Sequence, residues 1–103
     1  MKLLTKANEA LLLKNPLYST DGKPDAERDI LVKFFTPDSS FTWYVLEADK
    51  HGDDWEFFGL VDTGRDQELG YFTLAQLQSV RGAYGLPVER DRNFSAKLSE
   101  VKK

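Results

Sequence analysis

The chain has 103 residues, a net charge of −3, no cysteine and one histidine, His51. That length suits a single domain over residues 1–103, able to bury roughly 65% of its unfolded surface without staples. Disulfides, cysteine nucleophiles and thiolate metal sites are excluded, and so are multi-histidine zinc centres.

In the N-terminal stretch, Lys6, Asn8 and Glu9 interrupt the apolar residues, so neither a signal peptide nor a membrane span is expected. A cytoplasmic protein with no membrane partner is the expectation. Thr5 is placed to cap a first helix over residues 6–13, with Ala7, Ala10, Leu11 and Leu13 available for burial. Asn15-Pro16 ends it, and residues 17–27 carry the turn chemistry of Ser19, Thr20, Asp21, Gly22 and Pro24. Four strands follow, over residues 30–36, 41–48, 54–62 and 68–72. Pro37-Asp38-Ser39-Ser40, Asp49-Lys50-His51-Gly52-Asp53 and Thr63-Gly64-Arg65-Asp66-Gln67 join them, the pattern of an antiparallel meander. Thr73 opens a second helix, with Gln76 completing a capping box, Leu74, Leu77 and Val80 at helical spacing, and Gly82 as a stop. Ser95 is expected to cap a short final helix through Val101. The fold class is α+β: a four-stranded antiparallel meander with an N-terminal helix, a helix after the fourth strand and a C-terminal extension.

Ten of the 13 aromatics lie between Phe34 and Phe72, so the sheet is unusually aromatic. The simplest register sets Phe41 opposite Thr36 and Ala48 opposite Asp54. One face then carries Val32, Phe34, Phe41, Trp43, Val45, Trp55, Phe57, Val61, Leu69 and Tyr71. The other carries Leu31, Phe35, Tyr44, Leu46, Phe58, Leu60 and Phe72. Gly59, opposite Trp43 and beside Tyr71, leaves room for two rings. Both faces need cover: the first and last helices are expected on one, the helix after Thr73 on the other. Most of the aromatics are core by this reading. Tyr44, Trp55 and Phe58 are the candidates for an exposed binding platform, and only Lys33 accompanies them, which disfavours nucleic acid on the sheet.

Leu60-Val61-Asp62-Thr63-Gly64 matches the aspartic-protease signature, whose chemistry needs two aspartates sharing one proton. Arg65 stands where that family has Ala or Ser, and no flap or second motif follows. A strand ending in an Asp-Thr-Gly turn is expected instead. Asp49, His51, Asp53, Asp54 and Glu56 lack calcium-loop spacing and read as a solvated hairpin tip. Residues 81–85 lack the lysine and the context of a phosphate loop. No cofactor is expected.

Charge is uneven. From Glu47 to Glu68, eight carboxylates stand against Lys50 and Arg65. From Arg81 onward the balance reverses, with six basic residues against Glu89, Asp91 and Glu100. The segment 79–91, with its glycines, Pro87 and Tyr84, is a loop of functional composition, and Arg81, Arg90 and Arg92 could grip phosphate or carboxylate.

Several stretches together resemble one known family: Met1-Lys2-Leu3-Leu4-Thr5, Pro16-Leu17-Tyr18-Ser19-Thr20, Lys33-Phe34-Phe35-Thr36-Pro37-Asp38 and Thr42-Trp43-Tyr44. Phe57-Phe58-Gly59-Leu60-Val61, Glu68-Leu69-Gly70-Tyr71-Phe72 and residues 79–91 continue the likeness, which spans nearly the whole chain. The family comprises short bacterial proteins of unknown function carried largely on plasmids, conjugative elements and phages. The resemblance implies no catalytic residues. It implies a setting, mobile DNA, where small accessory proteins counter restriction or CRISPR defences or assist DNA transfer.

The expected function is a non-enzymatic binding protein of a mobile genetic element. Its specific form is an anti-CRISPR or anti-restriction accessory that contacts a protein partner through acidic hairpins or aromatic surface. The alternative is a binder or nuclease acting on single-stranded DNA, with nucleic acid held by Arg81, Arg90 and Arg92. The expected binding residues are Arg81, Tyr84, Arg90 and Arg92 in the loop after the second helix, and Tyr44, Trp55 and Phe58 on the sheet.

Overall fold

A computed structural model describes residues 2–103. Helix α1 (Lys6–Leu13) starts where Thr5 closes a capping box: the Thr5 hydroxyl accepts the Asn8 N–H at 3.1 Å, and the Thr5 N–H donates to the Asn8 side chain at 2.9 Å. Contrary to expectation, Ala7, Ala10, Leu11 and Leu13 face solvent, and Leu12 is the buried residue. The reason lies before the cap. Leu3 and Leu4 are themselves in the core and seat the chain first, so only the stripe through half-buried Asn8 and buried Leu12 turns inward.

Strands β1 (Val32–Phe35), β2 (Thr42–His51), β3 (Asp54–Asp62) and β4 (Gln67–Thr73) form the antiparallel meander. Helix α2 (Leu74–Ser79) follows, opened by the Thr73–Gln76 capping box. Strand β5 (Glu89–Arg90) then pairs with β1 and makes the sheet five-stranded, in the order β4-β3-β2-β1-β5. Its two residues lie in a stretch expected to be loop; pairing with Phe34 and Phe35 covers an edge otherwise open. Helix α3 (Leu98–Val101) is capped at Lys97 rather than Ser95, with the Lys97 N–H on Glu100 Oε1 at 2.9 Å. Among the described residues no helix is long and apolar enough to cross a membrane.

The β1–β2 register is the expected one, with Phe34 opposite Trp43. The β2–β3 register is not. β2 runs on to His51, which pairs with Asp54, so Ala48 faces Phe57. The turn shrinks to Gly52-Asp53, and Gly52 at φ 62° supplies the first corner of a two-residue II′ turn. Nearer the middle, pairing shifts between Val45 and Glu47, a bulge with Leu46 as the extra residue. Gly59 stands opposite Val45 across it, and a Cβ there would lie 1.9 Å from the Tyr44 carbonyl oxygen. Gly59 admits backbone, then, not two rings.

These registers sort the faces. One carries Val32, Phe34, Trp43, Val45, Ala48, Trp55, Phe57 and Phe72, packed beneath Leu3, Leu4, Leu12, Leu74, Leu77 and Val88. The other carries Tyr44, Leu46 and Leu60, with Phe58 and Leu69 at its margin, beneath Ile30, Phe94 and Leu98. Helices α1 and α2 therefore share one face, and the C-terminal segment covers the other. Phe72 changes places with Leu69 and Tyr71 relative to expectation, because Phe57 pairs with Phe72 and Phe58 with Tyr71.

Candidate functional site

The loop between α2 and β5 is held in shape by a residue far away in sequence. Gly82 N–H bonds the Leu86 carbonyl at 2.9 Å, and Gly85, at φ 82°, bonds the Gly82 carbonyl at 3.0 Å. Asp38, in the β1–β2 turn, reaches into this loop: its Oδ2 accepts the Tyr84 N–H at 2.7 Å and the Leu86 N–H at 3.1 Å. Its Oδ1 is buried without a hydrogen-bond donor, only 1.5 Å from where a Gly82 Cβ would stand. Only glycine fits there while the carboxylate stays tethered. The outcome is a fixed loop that carries Tyr84, 87% exposed, at its tip. Leu86 is exposed beside it, and Phe41 borders the same loop at Gly82 and Ala83.

Replacing Asp38 by alanine removes two charge-assisted bonds. About 1–3 kcal/mol of stability should be lost, with faster hydrogen exchange at the Tyr84 and Leu86 amides. Unchanged exchange at both would show that the tether does not order the loop.

Two of the three expected arginines serve their own backbone. Arg81 Nη1 donates to the carbonyls of Gln78 (2.9 Å) and Val80 (2.8 Å), finishing the end of α2. Arg90 Nη1 donates to the Leu3 carbonyl at 2.8 Å and ties β5 to the N-terminal segment. Arg92 is exposed.

The expected aromatic platform is dismantled. Trp55 is 2% exposed in one core, and Tyr44, 9% exposed, lies in the other, so neither ring offers a surface. The added residue in β2 and the covering C-terminal segment account for this: each face found its lid. Phe58 is half-buried, beneath Tyr71 at 5.1 Å and Arg28 at 5.6 Å.

Phe58 forms part of a cleft of about 280 Å³ with Tyr18, Asp21, Arg28, Glu47, Leu69 and Tyr71, a cluster that sequence reasoning missed. β1 begins at Val32, opposite Val45, and residues 15–20 run beside the rest of β2 in its place. Glu47, 2% exposed, accepts the N–H groups of Tyr18 (2.7 Å) and Thr20 (2.8 Å), the Thr20 hydroxyl, and Arg28 Nη2 at 3.5 Å. Tyr18 adopts φ 72° to present that N–H. Burial pushes the Glu47 carboxyl up, but the Thr20 and Tyr18 hydrogen bonds and the Arg28 charge outweigh it, and the net displacement is downward. The signal was legible: Glu47 is a lone charge inside Trp43-Tyr44-Val45-Leu46-Glu47-Ala48.

The acidic stretch is largely engaged within the fold. Besides Glu47, Asp49 accepts the Leu17 N–H, Asp54 accepts Trp55 and Ala75, and Glu56 pairs with His51 at 3.3 Å. Asp62 accepts the Gly64 N–H and Gln67 Nε2, while the Thr63 hydroxyl accepts the Asp66 N–H. The Asp-Thr-Gly motif is thus a strand-ending turn. The Gln67 hydrogen bond, followed by that of Gly64, holds the Asp62 carboxyl below its ordinary value. Asp53, Asp66 and Glu68 remain, all exposed.

The profile of a family described as "Protein of unknown function (DUF2958)" matches residues 3–101. The chain belongs to that family. Neither the curated proteins nor the solved structures yield a significant match.

Proposed function

We propose that the chain is a non-enzymatic, cytoplasmic binding protein that engages a protein partner through the loop carrying Tyr84. The supporting observation is one aromatic side chain, 87% exposed, on a backbone fixed by Asp38. Tyrosine is enriched among residues that dominate interfaces, and a loop ordered in advance gives up little entropy on binding. Exposed Leu86 and Phe41 extend the apolar surface. The resemblance to proteins of plasmids, conjugative elements and phages adds the setting: a mobile-element accessory that blocks a host restriction or CRISPR component by contact.

Pull-down from a host carrying such systems tests this. The wild-type chain should recover a stoichiometric partner, and Tyr84→Ala should weaken that complex by about 2 kcal/mol or more. Recovery of nothing, or equal recovery by Tyr84→Ala, would count against the loop. The single-stranded DNA alternative has less support, because Arg81 and Arg90 are engaged by backbone carbonyls. No shift of labelled single strands is expected at low salt. A shift that fades steeply with salt and is lost in Arg92→Ala would replace the protein-binding reading.

A further inference from the structure

We infer that the free edge of β4 accepts an extended, lysine- or arginine-bearing segment of another protein as an additional strand. β4 is a terminal strand, with β3 on one side and, among the described residues, no backbone hydrogen bonds to another element along the other. The bond from the Thr63 N–H to the Asp66 carbonyl, 3.0 Å, fixes the phase of the β3–β4 ladder. Val61–Glu68, Gly59–Gly70 and Phe57–Phe72 are then the hydrogen-bonded pairs, and the N–H and C=O groups of Leu69 and Tyr71 point outward. The free stretch is bounded at both ends. The Thr73 N–H is taken by Gln76 Oε1 at 2.9 Å, and the Gln67 side chain holds the Val101 carbonyl and the Lys103 N–H. β4 contains neither proline nor lysine, two of the usual guards of an edge.

The surroundings define the occupant. A cleft of about 320 Å³ follows the edge, lined by Val61, Glu68, Leu69, Gly70 and Tyr71, with Thr63, Asp66 and Gln67 at its end. A Cβ at Gly70 would meet nothing within 4 Å, so a bulky apolar residue opposite Gly70 has space beside Val61. Two residues along an antiparallel partner, the side chain on that same face meets exposed Glu68, where a cation fits, with Asp66 beyond it. Glu68 and Asp66, both exposed, put negative charge on this face of the edge. Tyr71, 52% exposed, stands over Phe58 on the opposite face of the strand from Glu68. Of the nearby basic groups, Arg65 belongs to the turn and Lys103 to the C-terminus, while Arg28, in the cleft beside Tyr71 on the opposite face, is paired with Glu47. A second copy is less suited: two-fold pairing about Gly70 sets glycine against glycine, leaves the space empty and gives Glu68 no cation. The edge lies across the sheet from β5 and shares no residue with the Tyr84 loop, so the two surfaces are tested separately.

Selection from a displayed library of random short peptides against the full chain is the test. Enriched peptides should pair an apolar residue with lysine or arginine two positions away. Tyr71→Pro, which removes an outward N–H that the fold does not use, should weaken them by about tenfold or more. Tyr71→Ala, lacking only the ring, should lose less, and Gly70→Val, which fills the space, should also weaken binding. Bound peptide should slow exchange of the Leu69 and Tyr71 amides, and Tyr84→Ala should bind as wild type does. No enrichment, enrichment without the pattern, or equal binding by Tyr71→Pro and Gly70→Val overturns the proposal. So does loss of binding in Tyr84→Ala, or a dimer that Tyr71→Pro dissolves.

Discussion

Glu47→Ala should lower the free energy of unfolding by about 3–5 kcal/mol, a large part of what a domain of this size possesses. The loss has a specific origin. Among the described residues Glu47 is the one acceptor of the Tyr18 and Thr20 N–H groups, and it neutralises Arg28, itself nearly buried. Truncating it strips a buried guanidinium of its counter-charge, leaving it only its bonds to the Thr20 hydroxyl oxygen at 3.0 and 3.1 Å, and leaves two amide donors unsatisfied. Arg28→Met should cost less, since Glu47 keeps the Thr20 hydroxyl and both N–H donors. Urea unfolding of the two variants gives the comparison, and near-equal losses would contradict it.

The pH dependence follows from the direction of the shift. The Glu47 carboxyl lies below its ordinary value in the folded chain, so the folded state binds that proton more weakly than the unfolded one. Its stabilisation is therefore complete above the ordinary glutamate value of about 4.3 and drains as pH falls through the lower folded value. The stability difference between wild type and Glu47→Gln should be full at neutral pH and shrink below about pH 4. A difference independent of pH would mean that the charge on Glu47 is not what matters.

Gly59→Ala should be comparably damaging, at about 3 kcal/mol or more. Its Cβ would stand 1.9 Å from the Tyr44 carbonyl oxygen and 2.9 Å from the carbonyl carbon. These are backbone atoms of the bulged strand, and no side-chain rotation can clear them. Gly70, its partner across the β3–β4 ladder, provides the internal control, because a Cβ there meets nothing within 4 Å. Gly70→Ala should be neutral or slightly stabilising, since alanine has less conformational freedom to lose than glycine. Equal urea midpoints for the two variants would contradict the bulge as the cause.

The elements were legible because their signals are local. Thr5 with Asn8 and Thr73 with Gln76 announce helix starts within one turn of chain. Pro37-Asp38-Ser39-Ser40 and Thr63-Gly64-Arg65-Asp66 punctuate the strands just as locally. The candidate site was legible only in part. The composition of residues 79–91 pointed to the loop of Tyr84, but nothing in it indicated Asp38, whose hydrogen bonds span more than forty positions. Likewise Glu47 belonged by sequence to an acidic run, and by structure to a buried cluster with Thr20 and Arg28.

By itself, then, the sequence determined the α+β class, the four-stranded meander, both capping boxes and the need to cover both faces of an aromatic sheet. Tertiary structure alone decided the β2–β3 register, the bulge at Leu46, the fifth strand and which rings reach solvent. The physical reason is the two-residue period of a strand. A shift of one residue sends every side chain to the other face, and the extra residue at Leu46 is specified by what packs against β2, not by β2 itself. Trp55 and Tyr44 became core because lids from both ends of the chain found them, while Tyr84 stayed exposed because Asp38 holds its loop in place.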